Sequence, residues 1–87
     1  MTLRIEQRSE GQQVVVHLAG RIRGENLGAL NRVIAGKGSI VLDLDEVTLV
    51  GVEVVRFLRD AEAAGVELRH CPPFIRAWID REREVDR

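Results

Sequence analysis

The stretch from Ser39 to Leu58, SIVLDLDEVTLVGVEVVRFL, constrains this chain more than any other. Its first half contains the most apolar run of the sequence, Ser39 to Leu44 (SIVLDL), as a central strand of a sheet requires. The second half changes period. Val54, Val55, Leu58 and, just beyond, Ala61 recur on one helical face, which predicts a helix over Val52 to Ala64. A buried strand that passes through a short tip at Gly51 into an amphipathic helix is half of a βαβ unit. The chain is therefore expected to build a sheet with helices packed on it.

The flanking segments supply the rest. Leu3, Ile5 and Gln7 alternate with Arg4, Glu6 and Arg8, the pattern of a short half-exposed strand. Ser9 to Gln12 (SEGQ) is a turn centred on glycine, and Gln13 to Ala19 (QVVVHLA) is a denser β-branched run that belongs inside the sheet. These two strands form an antiparallel hairpin, and Gly20 ends the second. Leu27, Leu30, Val33 and Ile34 make the stripe of a first helix over roughly Glu25 to Ala35. Glu25 suits its dipole, and Gly36 and Gly38 supply its stop. Gly28 inside this helix costs about 1 kcal/mol against Ala, which close packing on the sheet would explain. Gly65 stops the second helix, and Val66 to Arg69 (VELR) is a short strand. Pro72 and Pro73 open a third helix with Ile75, Trp78 and Ile79 as its buried face. Arg81 to Arg87 (REREVDR) is expected to be a solvated, frayed tail. The order is β-β-α-β-α-β-α, and right-handed crossovers make the last three strands parallel. The predicted fold is α/β: a four-stranded mixed, mainly parallel sheet with an N-terminal β-hairpin and three helices. At 87 residues the chain has room for a single domain, 1–87.

Composition removes several functions. Aromatic residues are confined to Phe57, Phe74 and Trp78, and the net charge is -1, so the chain offers neither the stacking platforms nor the basic groove of a nucleic-acid binder. No apolar run approaches the ~20 residues of a membrane span. The sequence opens on a strand pattern without the apolar stretch of a secretory leader, and the lone Cys71 fits a reducing compartment. A cytoplasmic location is expected, without nucleic acid, membrane or cofactor. Twelve arginines against one lysine form a strong skew that reads as coding bias or surface chemistry and points to no function.

Three segments in order resemble the sulfate transporter and anti-sigma factor antagonist (STAS) domain. Val14 to Ile22, VVVHLAGRI, looks like that family's second strand with its Gly-Arg-Leu/Ile ending; Ile40 to Val50, IVLDLDEVTLV, looks like its central strand; Gly65 to Leu68, GVEL, is similar to the strand after its switch helix. Spacing and helix placement match along about three-quarters of the chain. The resemblance implies a non-enzymatic protein-binding module that works in signal transduction and transcription regulation. Its partner would be an anti-sigma factor of the switch-kinase type, which phosphorylates a serine at the tip and so ejects the module from its complex. This sequence departs there: the family's Asp falls on Gly51, its hydroxyl pair on Val52 and Glu53, and its Gly on Val54. No phosphate acceptor remains at the tip. Thr48 is the nearest hydroxyl, with Ser39, Ser9 and Thr2 more distant. The C-terminus is also shorter than in many members, leaving the third helix to close the fold.

The candidate contact surface is accordingly Val50, Gly51, Val52, Glu53 and Arg56. Glu53 has two readings: a permanent mimic of the phosphorylated state, or an acid favoured near any helix N-terminus by ~0.3–1 kcal/mol. The second is preferred, because one carboxylate carries less charge than a phosphate. Val50 and Val52 would form an apolar knob if both were exposed; Val50 reads as core, and Val52 is open. A competing class is a homo-oligomeric scaffold, a homodimer for instance, that self-associates through an exposed sheet face or edge.

Other residues rank lower. Cys71 ahead of a helix N-terminus is the setting of an activated thiolate, but a base, an orienting group and oxyanion donors are missing from the pattern, so catalysis ranks third and no catalytic residue is assigned. His17 reads as a satisfied sheet histidine. Two histidines far apart in sequence and one cysteine make no metal site. Asp43, Asp45 and Glu46 are read as clustering at the end of the central strand, where a cation or nucleotide would be conceivable; Asp43 is better explained by a local hydrogen bond.

Overall fold

A computed structural model of the chain describes residues 3–35 and 39–85. Four strands, β1 (Arg4–Glu10), β2 (Gln13–Ile22), β3 (Ser39–Val50) and β4 (Glu67–Arg69), form one sheet in the order β1-β2-β3-β4. The β1–β2 pair is antiparallel, and β2–β3 and β3–β4 are parallel. Three helices follow: α1 (Leu27–Ile34), α2 (Val52–Ala63) and α3 (Pro73–Val85). This is the predicted α/β architecture. Gly36 and Gly38, read as the stop of the first helix, lie outside the described residues, as do Thr2 and residues 86 and 87.

The hairpin turn is tight because Gly11 takes φ 63° at its first central position, a conformation that costs glycine nothing. The parallel strands follow in sequence order across the sheet, so both crossovers run the same way, and one handedness places α1 and α2 on the same face. The core has this composition. Val16 and Leu18 of β2 and Leu42 and Leu44 of β3 meet Leu30 of α1, Val54, Val55 and Leu58 of α2, and Ile75 and Ile79 of α3, all fully buried. Each such side chain contributes about 1.5–3 kcal/mol by leaving water.

Both long strands outrun their predicted ends. Gly20 does not stop β2, which continues to Ile22; Gly20 sits within it at φ 93°, next to a slip in register. Two such slips occur. His17 is opposite Asp43 but Ala19 is opposite Glu46, and Gly20 is opposite Val47 but Arg21 is opposite Leu49. Each inserts one extra residue into β3, as a bulge does. Inward-facing residues beyond Leu44 therefore recur at every third position, Val47 and Val50, instead of every second. The first slip is pinned by the Asp43 side chain, whose Oδ1 accepts the Asp45 N–H at 3.1 Å. Asp45 and Glu46 thus stand mid-strand and not at a strand end, which removes the reason to place a cation or nucleotide there.

Helix ends follow local rules. A 3₁₀ turn, Gly24–Asn26, precedes α1 where a continuous helix from Glu25 was expected. Asn26 closes that turn by accepting the Arg23 N–H on Oδ1 at 2.8 Å. Gly65, at φ 107°, ends α2 in a Schellman arrangement: its N–H reaches the Glu62 carbonyl at 3.1 Å and the Val66 N–H reaches Ala61 at 3.0 Å. At α3 the Pro72 carbonyl accepts from Ile75 and Arg76 at 3.0 and 2.9 Å, and Pro73 occupies the first turn, where a missing N–H is harmless.

The expected frayed tail is instead helical through Val85. Glu82 falls on the same stripe as Ile75 and Ile79 and is buried, with its Oε1 accepting Arg56 Nε at 2.9 Å. Nearby, Arg76 grips Glu62 through two bonds of 2.9 and 2.8 Å, and Arg83 joins the same carboxylate. These partners lie on α2, so a stripe that ends in Glu reads as solvated from the sequence of α3 alone. The forked guanidinium suits such two-point contacts better than lysine does, which gives part of the arginine skew a structural use.

Gly28 is exposed, and a Cβ at that position would meet nothing within 4 Å. Close packing therefore does not account for it, contrary to expectation. Gly28→Ala is expected to stabilise the chain by about 0.5–1 kcal/mol, read as a raised midpoint in thermal or urea denaturation.

Candidate functional site

Two surfaces carry polar or apolar groups that the fold does not consume. The first is the tip between β3 and α2. Val50 is 6% exposed and belongs to the core, so it leaves the predicted contact set. Leu49, which sequence reasoning passed over, is 50% exposed, and Val52 is 37% exposed. Leu49 turns outward as it would in a regular strand, because the two slips in β3 cancel in parity. Strict alternation from Leu42 and Leu44 was the available signal, since it sets Val50 inward and Leu49 outward. Gly51 caps α2 through its backbone: the carbonyl accepts from Val54 and Val55, each at 3.1 Å, and no side chain assists.

Glu53 folds back over this turn. A Cβ on Gly51 would stand 3.3 Å from one carboxylate oxygen of Glu53, and a Cβ on Gly24 would stand 3.3 Å from the other. The carboxylate thus occupies room that two glycines leave open at the start of α2, where the helix dipole favours an anion. The fifth predicted residue, Arg56, is exposed, but its guanidinium is engaged with Glu82 of α3. The structure accordingly brings Gly51, Val52 and Glu53 together at the surface, adds Leu49, buries Val50 and turns Arg56 toward α3.

The second surface is the sheet face opposite the core. Register aligns Glu6, His17, Asp43 and Arg69 in one row across all four strands, and Arg8, Val15, Val41 and Glu67 in the next. Val15 and Val41 are buried yet stand outside the core cluster. Arg69 Nη1 of β4 comes within 3.6 Å of Glu10 Oε1 of β1. That ion pair joins the two edge strands across the face, and the stems of long charged side chains shield the valines. A shallow concavity of about 690 Å³ opens beside them, lined by Glu6, Gln7, Arg8, Val15, His17 and Asp43.

Asp43 is the hub of this face. Besides the Asp45 N–H, its carboxylate lies 3.6 Å from His17 Nδ1 and 3.3 Å from His70 Nδ1. His70 reaches it from a left-handed turn at φ 56°, just past β4. The two histidines, distant in sequence, therefore share one carboxylate, because parallel pairing puts β2, β3 and the end of β4 side by side. Burial works against ionisation of Asp43, but the Asp45 amide and both histidines outweigh it and hold its pKa below the ordinary value. His17 Nε2 faces Glu46 Oε1 at 3.2 Å; this contact, opposed by desolvation and aided by Asp43, raises the pKa of His17. The nitrogens of His17 thus face two different acids and do not converge on one point. Among the described residues no group of three or more His, Cys, Asp or Glu is arranged to hold a metal ion. Cys71 is half-buried against the core, and burial pushes its thiol up, away from the thiolate. No described helix is long and apolar enough to cross a membrane.

No family model and no curated protein matches the chain. Among solved structures it is similar to one described as "Crystal Structure Analysis of Mglu", with 27% identity and a TM-score of 0.52 over 78% of this chain and 19% of that one. The chain thus spans less than a fifth of that protein's length.

The histidine cluster sets a pH dependence. With its folded pKa raised, His17 stabilises the fold fully below its ordinary value of about 6.5, and the contribution fades as pH rises through the folded value. Asp43, with its pKa lowered, contributes above the ordinary carboxylate range and loses its effect in acid. The melting temperature is therefore expected to fall from pH 6 to pH 8 more steeply in the wild type than in His17→Gln, compared by calorimetry; parallel curves would contradict it.

Proposed function

We propose that this chain is a non-enzymatic protein-interaction module, similar to an anti-sigma factor antagonist of the STAS type but without the serine switch, and that it grips its partner at the β3–α2 tip. The observation that carries the reading is the placement of Leu49 and Val52. They are two of the three large hydrophobic side chains exposed among the described residues, and they flank a turn anchored beneath by buried Val50 and Val54. Single exposed apolar residues are ordinary. Two beside one rigid turn, next to the charge of Glu53, make a small apolar contact with a polar rim, the usual layout of an interface centre.

The resemblance in the three strand segments supplies the kind of partner: a switch-kinase-type anti-sigma factor or a related signalling protein in the cytoplasm. The tip offers such a kinase no hydroxyl, since Gly51, Val52 and Glu53 occupy the relevant positions. Thr48 is exposed but lies within β3. Glu53, tucked against Gly24 and Gly51, serves the helix terminus more than it imitates a phosphate. Binding in this module is therefore constitutive.

Affinity capture from the native cell, run in parallel with the wild type and Leu49→Asp/Val52→Asp, tests this. The wild type is expected to retain a signalling protein, and the variant to lose it by about tenfold or more, the scale of a lost interface centre. Its circular dichroism should stay unchanged. Equal recovery on both chains would remove the tip as the interface. Incubation with the captured kinase and ATP should leave the tip without phosphate by mass spectrometry.

A further inference from the structure

The outer edge of β1 pairs with no other strand among the described residues, and six of its seven residues are exposed. The opposite edge, β4, has three residues and is too short to recruit a partner strand readily. From β1 we infer that two copies of this chain associate edge to edge, β1 against β1 in antiparallel fashion about a two-fold axis at Gln7, joining two four-stranded sheets into one.

The backbone decides which residues can pair. A two-residue turn at Gly11 and Gln12 closes on Glu10 and Gln13, which share the closely spaced hydrogen-bonded pair of such a hairpin. Alternation then commits the backbone groups of Arg4, Glu6, Arg8 and Glu10 to β2, and leaves those of Ile5, Gln7 and Ser9 pointing outward. A second copy must offer its own odd-numbered residues to meet them. With the axis at Gln7, Gln7 pairs with its symmetry mate and Ile5 pairs with Ser9.

The side chains decide the register. On the face opposite the core, β1 reads Arg4, Glu6, Arg8, Glu10, with alternating charge. About Gln7, Arg4 stands opposite Glu10 of the second copy and Glu6 stands opposite Arg8, so every facing pair is of opposite sign. Moving the axis to Glu6 sets Arg4 against Arg8 and Glu6 against itself. Moving it to Arg8 sets Glu6 against Glu10 and Arg8 against itself. Like charges directly opposite are unfavourable. Axes at Ile5 or Ser9 also set unlike charges opposite, but keep two such pairs (Arg4 with Glu6, or Arg8 with Glu10) against four about Gln7, so the Gln7 register is favoured. Within one chain these groups make pairs along the strand, Arg4 with Glu6 at 2.8 Å and Arg8 with Glu10 at 2.7 Å, all well exposed. Exposed pairs of this kind contribute little, so exchanging them for pairs between copies costs little. Charge on an edge strand ordinarily discourages association. Here the alternation makes the edge complementary to itself, most fully about Gln7, and repellent to the adjacent registers about Glu6 and Arg8.

Sedimentation equilibrium up to millimolar protein tests the inference. The wild type is expected to dimerise at low salt and to weaken at least tenfold toward 1 M salt, where the Debye length is about 3 Å. Arg4→Glu/Arg8→Glu makes the face wholly acidic, and Glu6→Arg/Glu10→Arg makes it wholly basic. Each alone should bind itself at least about tenfold more weakly than the wild type, since four attractive pairs become repulsive, and an equimolar mixture should recover a one-to-one dimer. Gln7→Pro removes an outward N–H while sparing the β1–β2 ladder, and should also yield monomers with an unchanged circular dichroism spectrum. A wild type that stays monomeric overturns the inference. So does self-association untouched by the charge variants or by Gln7→Pro.

Discussion

Parallel strands cannot be joined by a tight turn, so the β2–β3 pair requires a crossover long enough to hold a helix. That requirement organises the molecule. Nine residue pairs align β2 with β3, and the ladder holds Val16 and Leu18 beside Leu42 and Leu44 as the floor on which all three helices pack. Because the next crossover repeats the operation in the same direction, the helices share one face and the other stays free of them. Both surfaces of interest follow from this asymmetry: the tip, where β3 passes into α2, and the charged face, where the rows of β1 to β4 line up.

The slips in β3 carry the consequence furthest. A regular strand of this length would turn Glu46 and Thr48 toward the core and Val47 away from it. Two inserted residues instead bring Val47 into the core and leave Glu46 and Thr48 in water, and because the two slips cancel in parity Val50 stays inward and Leu49 outward. Asp43 holds the first slip through the Asp45 amide and, from the same carboxylate, gathers His17 and His70. One side chain therefore ties the geometry of the tip strand to the protonation of the sheet face. On that face Val15 and Val41 are shielded without a covering helix by charged side chains that reach across the sheet, Arg69 to Glu10 among them. Similar economy joins α2 to α3, where Arg56 and Arg76 satisfy Glu82 and Glu62 at the border of the core. Paired in this way, a buried carboxylate need not disrupt an apolar stripe, although truncating either partner would leave the other exposed to a cost.

Element type and order were legible in the residues themselves. The period of Val54, Val55, Leu58 and Ala61 specifies α2, glycine at Gly65 specifies its end, and the run of Val14, Val15 and Val16 specifies an interior strand, since these patterns are local and reflect backbone preference and burial. Four features were not legible in this way. The reach of β2 and β3 depended on pairing partners, because Gly20, a stop by local rules, is tolerated within a bulged ladder. Glu82 looked solvated until Arg56 on another helix met it. His17 and His70 looked unrelated until parallel register set them on one carboxylate. Gly28 looked like a packing residue, yet open space surrounds it. The sequence by itself determined the alternation, the periods and the chain breaks, and with them a two-layer α/β fold and a tip without a hydroxyl. Tertiary structure alone decided that Val47, and not Glu46 or Thr48, enters the core between Leu44 and Val50, and which charges meet, because bulges and ion pairs arise between segments far apart in the chain and leave no periodic trace within either one.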